Sequence, residues 1–83
     1  MIKVLFFAKL KEELGCDELD IDNGSITSIE DLVSEIGSLH GSQFLEAIRA
    51  SNIVVSCNHE VVSRSSRIKD GDEIAFYPPV TGG

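Results

Sequence analysis

The chain has 83 residues, enough for one domain with a thin core. Hydrophobic residues make up 42% and charged residues 25%, a composition typical of a globular protein and not of a disordered one. The 14 acidic and 7 basic residues give a formal net charge of -7. This charge argues against nucleic acids and anionic membranes as partners and favours a basic protein surface, unless it serves only solubility.

The N-terminus and the two cysteines bear on the compartment. Residues 1–4 begin directly with strand-like sequence and lack the features of a signal peptide. Cys16 and Cys57 are far apart and do not suggest a disulfide framework. No apolar run approaches the length that spans a membrane. We therefore expect a soluble cytoplasmic protein.

The first quarter of the chain predicts a strand, a short helix and a second strand. Residues 2–8 (IKVLFFA) are rich in β-branched and aromatic side chains, as strands are. Residues 8–14 favour a short helix that Gly15 stops. Residues 18–21 alternate well enough for a strand, and residues 22–25 (DNGS) indicate a turn.

The clearest helical pattern begins at Ser28, which can cap a helix with Asp31 placed three residues later. One apolar stripe follows the spacing i, i+3, i+4, i+7 and consists of Ile29, Leu32, Val33 and Ile36. Gly37 is placed to end this helix. Residues 42–50 predict a second, shorter one.

The last third of the chain predicts three strands. Residues 53–57 form one, and residues 60–63 form a short one after a turn at residues 58–59. Residues 73–77 form the final strand after a tight turn at residues 70–71. The element order predicts an α+β domain, a mixed sheet with one main helix packed on one face.

The end of the chain is unusual. Pro78 and Pro79 end the last strand and favour a stiff, extended exit from the sheet. Gly82 and Gly83 have no side chains, so their backbone can enter a channel that a Cβ would block. We therefore divide the chain into a domain over residues 1–79 and an extended tail over residues 80–83, unless the tail is only a frayed terminus.

Three stretches carry a resemblance to a known family. Residues 70–83 (DGDEIAFYPPVTGG) resemble the C-terminal signature of the small subunit of molybdopterin synthase, the MoaD type. Residues 1–8 (MIKVLFFA) are similar to that family's first strand, and Asn58 with residues 61–63 is similar to its middle. The resemblance implies a ubiquitin-like β-grasp fold, which agrees with the element order.

The resemblance also implies a function, that of a sulfur carrier in molybdenum cofactor biosynthesis. An adenylating enzyme of the ubiquitin-activating type would use ATP to activate the carboxylate of Gly83, and a sulfur donor protein would convert it to a thiocarboxylate. The tail would then thread into the large synthase subunit, within a heterotetramer, and pass sulfur to a pyranopterin precursor. The threading residues would be Pro79, Val80, Thr81 and Gly82. The chain itself would hold no permanent cofactor.

A docking surface is expected beside the tail. Since Ile2, Val4 and Phe6 alternate with their neighbours, a single helix can cover only one sheet face. The other face would expose an apolar patch for the partner, unless loops or the second helix cover it. This patch consists of Leu5, Phe7, Ala75 and Tyr77.

The remaining candidates for chemistry are weak. Cys57 and His59 do not have the spacing of a structural zinc site, so we expect no metal and a core position for Cys57. Cys16 is a conceivable persulfide carrier, but no neighbour in the sequence activates its thiol. Because no general acid and base stand out, we expect a subunit that is not an enzyme on its own.

Two alternative functions stay open. One is a sulfur carrier for another pathway, such as thiamine thiazole synthesis or tRNA thiolation. The other is a ubiquitin-like modifier or interaction module, in which Gly83 would form an amide with lysines of target proteins. The lead-in FYPPVT over residues 76–81 favours the molybdopterin type.

Overall fold

A computed structural model describes residues 1–79. Within this range the chain forms five strands and three helices. In order these are β1 (Ile2–Phe6), α1 (Ala8–Leu14), β2 (Glu18–Ile21), α2 (Ile29–His40), α3 (Ser42–Arg49), β3 (Val54–Cys57), β4 (Glu60–Val62) and β5 (Glu73–Tyr77). None of the three helices is long and apolar enough to cross a membrane.

The strands form one mixed sheet in the order β2-β1-β5-β3-β4. The first and last strands lie side by side and run parallel in register from Lys3–Glu73 to Phe6–Phe76. The other neighbours pair antiparallel. The mixed sheet was predicted, and its topology brings the end of β5 next to the start of α1.

The core lies between the sheet and the helices. Phe6 and Phe76 are at most 1% exposed and point to the helical side, with their rings 6.1 Å apart. The predicted stripe of α2 is confirmed, since all four of its side chains are buried. The helix α1 contributes the buried Leu10, and Phe44 of α3 contacts Phe6 with ring centroids 6.0 Å apart. All three helices therefore pack on the same face of the sheet.

The start of α2 follows the predicted capping pattern. The hydroxyl oxygen of Ser28 accepts a hydrogen bond from the Asp31 N–H at 3.2 Å. The Asp31 carboxylate in turn accepts from both the backbone N–H and the hydroxyl of Thr27, and these bonds lower the pKa of Asp31. Its negative charge is also favourable near a helix N-terminus.

The prediction that Gly37 ends α2 is wrong. The helix continues to His40, and the turn falls at Gly41, whose φ of 102° suits glycine. Gly37 instead lies where α3 approaches α2, because a Cβ added there would be 3.0 Å from Leu45 Cδ1. The glycine serves close helix packing and not termination.

Three predicted strands are shorter in the structure, and β4 is one of them, since it ends at Val62 and not at residue 63. β1 ends at Phe6 because Phe7 is the N-cap of α1 and Ala8 adopts a φ of 56°. β3 begins after Ile53, whose N–H donates to the Ala50 carbonyl oxygen at 3.0 Å in a turn. These differences of one or two residues leave the pairing of the sheet unchanged.

The turn between β3 and β4 is joined to the start of β5. Asn58 and His59 have φ values of 51° and 74°, as a two-residue hairpin turn requires. The Asn58 side chain donates to Asp72 at 3.1 Å and accepts from the Glu73 N–H at 3.0 Å. Asp72 also accepts from the Lys69 N–H at 2.9 Å. One buried carboxylate thus connects two turns.

Candidate functional site

The two residues that follow β5, Pro78 and Pro79, form the root of the tail. The Phe7 N–H donates to the Phe76 carbonyl oxygen at 3.2 Å, which extends the pairing of β1 and β5 by one residue. Pro78 is half-buried, and Pro79 is exposed. The predicted carrier group of Gly83 and the threading residues Val80, Thr81 and Gly82 lie outside the described residues.

The predicted docking residues come together on the sheet face opposite the helices. Leu5 pairs with Ala75 across β1 and β5. Phe7 continues β1 in extended backbone, with φ of -125° and ψ of 158°, and so lies beside Tyr77. Phe7 is 47% exposed, while Leu5 and Tyr77 are half-buried. The helix α3 does not cover this face, because its Phe44 contacts Phe6 on the other side.

Ala75 differs from the expectation of an exposed residue, since it is 8% exposed. It lies between Leu5 and Ser56, its register partners on the two neighbouring strands. Its side chain is one methyl group, and the larger side chains around it shield it from solvent. Ala75 therefore forms a shallow depression in this face and contributes little contact area.

Two further apolar residues on this face were missed by the sequence analysis. Val54 pairs with Tyr77, and Val61 pairs with Ser56. Val61 is 70% exposed. The sequence contains two signals for this placement. Alternation along β3 places Val54 on this face, and the two-residue turn after β3 places Val61 there. We call Leu5, Phe7, Val54, Val61 and Tyr77 the open sheet face.

Acidic side chains border the open sheet face on the β2 side. Glu18 is opposite Leu5 and Asp20 is opposite Lys3, so both share this face. The Lys3 ammonium lies 3.9 Å from the Glu18 carboxylate. An apolar strip with an acidic border suits a partner that surrounds an apolar contact with basic residues.

Both cysteines are half-buried and neither forms a disulfide. Cys57 is half-buried and packs against the core, as predicted. Burial, followed by the negative charge of Asp72, raises the pKa of the Cys57 thiol and keeps it neutral. The Cys16 thiol is half-buried and donates to the Glu18 carbonyl oxygen at 3.4 Å. Among residues 1–79, no group of three or more His, Cys, Asp or Glu side chains is placed to hold a metal.

The architecture defines a ubiquitin-like β-grasp protein, with parallel first and last strands at the centre and helices on one face. A solved structure from Pyrococcus furiosus, provisionally described as molybdopterin converting factor subunit 1, superposes with a TM-score of 0.78. It is 29% identical and covers 95% of this chain and 97% of its own. The small archaeal modifier protein 1 of Methanosarcina acetivorans has a TM-score of 0.73 and 26% identity, and covers 99% of this chain and 95% of its own.

Sequence comparison gives the family. The model of the ThiS family matches residues 4–83, so the match includes the four-residue tail. The molybdopterin synthase sulfur carrier subunit of Haemophilus influenzae is 36% identical over 83 residues, covering 100% of both chains. The chain belongs to the ThiS family.

Proposed function

We propose that the chain is the sulfur-carrier subunit of a molybdopterin synthase, with the terminal carboxylate of Gly83 as the group that carries sulfur. The family match through residue 83 is the observation that carries the proposal, because it includes the Gly82-Gly83 end. Full-length identity of 36% to a relative of that description supports it. The position of the tail root beside an open apolar face supports it as well.

The carboxylate needs activation before it can accept sulfur. A free carboxylate is a poor electrophile, so an adenylating partner joins Gly83 to AMP and releases pyrophosphate from ATP. A sulfur nucleophile then attacks the acyl carbon and AMP leaves, which produces the thiocarboxylate. The thiocarboxylate sulfur attacks a carbon of the pyranopterin precursor and displaces an oxygen substituent from it, which joins the two molecules through a thioester. Water then cleaves this thioester, so that the sulfur stays on the precursor and Gly83 is released as a carboxylate. The carrier itself supplies no acid or base in these steps.

The thiols are poor candidates for the sulfur-carrying group. The Cys57 pKa is raised by burial and by Asp72, so little nucleophilic thiolate is present near neutral pH. Cys16 is half-buried, and its Sγ–H is directed at a backbone carbonyl. A terminal thiocarboxylate presents a nucleophilic sulfur at the end of a side-chain-free segment instead.

The partner in the last step is the large synthase subunit. The open sheet face docks on it, and Pro79 to Gly82 direct the last residue into its active site. Phe7 supplies the largest exposed apolar side chain beside the tail root, at 47% exposure. Aromatic anchors of this kind contribute strongly to protein interfaces. We expect the complete synthase to be a heterotetramer, in the cytoplasm.

A protein modifier is the second candidate, because the chain is also similar to an archaeal modifier protein at 26% identity. In that function Gly83 forms an amide with lysines of target proteins. A blot of cell extract against this chain would then show conjugates of higher mass. The sulfur carrier predicts a thiocarboxylate and no such ladder.

Binding to a large synthase subunit separates the proposal from carriers of other pathways. A carrier for thiamine thiazole synthesis or tRNA thiolation can acquire the same thiocarboxylate. Only a molybdopterin synthase subunit should bind the large subunit and convert the pyranopterin precursor.

Deleting Gly83 tests the proposal. The deletion should abolish sulfur transfer in a reconstituted synthase, because the terminal carboxylate then belongs to Gly82 and lies one residue short. The circular dichroism spectrum and the melting temperature should stay unchanged. The matched controls Cys16→Ser and Cys57→Ala should retain sulfur transfer. Full transfer without Gly83, or loss of transfer in either cysteine variant with the fold intact, would contradict it.

A further inference from the structure

A groove next to the tail root takes no part in the proposed sulfur transfer. It lies between α1 and α3, on the helical side of the sheet, and has a volume of about 310 Å³. Its apolar lining residues, which we call its floor, are Leu10, Ala47, Ala50, Ile53 and Pro78. Because Pro78 lines the groove and also begins the segment that leaves the sheet, anything bound here would lie against the tail root.

Two small side chains at the end of α3 give the groove its shape. Ala47 lies in α3 and Ala50 directly follows it, and both line the groove opposite α1. The Gln43 side chain donates to the Glu13 carbonyl oxygen at 3.4 Å, which joins α3 to the end of α1. Larger residues at positions 47 and 50 would fill the space between the helices.

The rim of the groove is acidic on balance. Glu13 of α1 and Glu46 of α3 line it from opposite helices, and both are exposed. Lys9 is the cation among the lining residues, so the lining sums to a charge of -1. Apolar lining residues beside two exposed carboxylates suit the side chain of arginine, whose aliphatic stem packs on apolar surface while its guanidinium donates to carboxylates.

We propose that this groove receives an arginine side chain of the large synthase subunit, which grips the carrier at the root of its tail. The inference rests on the proposed function, since it assumes that the tail is delivered to that subunit. Charge complementarity supports the choice of a cation, because the whole chain has a net charge of -7. Contacts at the groove and at the open sheet face would together restrain the tail root from two sides, and this would orient the tail.

Filling the groove is the first test. Ala50→Leu places a larger apolar side chain at an exposed floor position, and Ser51→Leu adds the same bulk one residue away, outside the lining. Isothermal titration calorimetry with the cognate large subunit should show binding weakened by about tenfold for Ala50→Leu. The Ser51→Leu control should stay within about twofold of the unchanged chain.

Charge reversal is the second test and does not depend on packing. Glu46→Lys should weaken binding by about tenfold and reduce its salt dependence, because it removes one of the carboxylates that face the cation. The control Glu12→Lys makes the same change at an exposed α1 position outside the groove and should have a smaller effect. Equal effects of Glu46→Lys and Glu12→Lys would overturn the arginine assignment.

The two levels of the proposal fail differently. If Ala50→Leu and Glu46→Lys bind like their controls while Gly83 still gains sulfur, the groove inference is wrong and the carrier function stands. If the unchanged chain does not bind the large subunit at all, the proposed function fails and the inference with it.

Discussion

Asp72 is a buried acidic residue, with 6% of its surface exposed to solvent. Burial raises the pKa of this carboxyl, but hydrogen bonds from the Lys69 N–H and the Asn58 amide lower it, and the net shift is downward. A folded-state pKa below the unfolded value of about 3.9 means that folding favours the ionised form. Asp72 therefore stabilises the fold above about pH 4, and this contribution is lost as the pH falls through the folded-state pKa.

Asp72→Asn tests this assignment. The variant loses charged acceptors for two hydrogen bonds, so its free energy of unfolding at pH 7 should fall by about 1.5–3 kcal/mol. Its stability should also decrease less than that of the unchanged chain between neutral pH and pH values below about 4. Urea denaturation at several pH values measures both effects. The exposed control Asp17→Asn should change stability at pH 7 by no more than about 0.5 kcal/mol, and equal losses in the two variants would refute the account.

The pair of helices α2 and α3 depends on a glycine within a helix. Glycine at an interior helix position costs about 1 kcal/mol relative to alanine. Gly37 is nevertheless suited to its position, because Leu45 of α3 occupies the space that a Cβ would need, with Leu45 Cδ1 and Cβ at 3.0 and 3.2 Å from it. Close packing here sets the distance between the helices, and hence the position of α3 beside the groove.

Gly37→Ala should show opposite signs in two backgrounds. In the unchanged chain the new methyl group clashes with Leu45, and we expect a loss of about 1 kcal/mol. In the Leu45→Ala background the clash is gone, so the higher helix propensity of alanine should stabilise the protein by about 0.5–1 kcal/mol. Thermal and urea denaturation of the four proteins in this double-mutant cycle measure the difference. Stabilisation in both backgrounds would show that Leu45 does not restrict position 37.

The whole molecule has two unlike faces. The helices cover one side of the sheet, and the open sheet face on the other side keeps Phe7 and Val61 47% and 70% exposed. The tail root emerges between these sides, where β5 ends beside α1. This arrangement places an apolar contact surface directly next to the segment that the proposed function delivers to a partner.

Phe7→Ser should weaken binding to the large synthase subunit by about tenfold or more without unfolding the chain. The side chain is 47% exposed and no helix covers it, so little folding energy is at stake. The matched control is Leu39→Ser on α2, which removes a side chain of 59% exposure on the helical side. Calorimetric titration of both variants compares the two surfaces. Equal weakening by both, or by neither, would contradict docking through the open sheet face.

Local patterns in the sequence were sufficient for most of the fold. The stripe of α2 and the cap at Ser28 follow from spacing alone, since both depend on residues a turn apart. Gly37 was misjudged because its role depends on Leu45 of another helix, a contact that no local pattern contains. The same holds for the groove, which depends on the distance between α1 and α3. Val61 differs, because the alternation along β3 and the two-residue turn after it were local signals for its face. The function of the tail was predicted from the family resemblance and from the chemistry of its Gly82-Gly83 end.

Intact-mass spectrometry measures directly whether Gly83 acquires sulfur. The chain is incubated with ATP, its adenylating enzyme and a sulfur source, with the Gly83 deletion as control. We expect a mass gain that matches the exchange of one oxygen for sulfur, located at Gly83 and absent from the deletion variant. No gain in the presence of an active adenylating enzyme, or an equal gain in the deletion variant, would contradict the assignment of Gly83 as the sulfur-carrying residue.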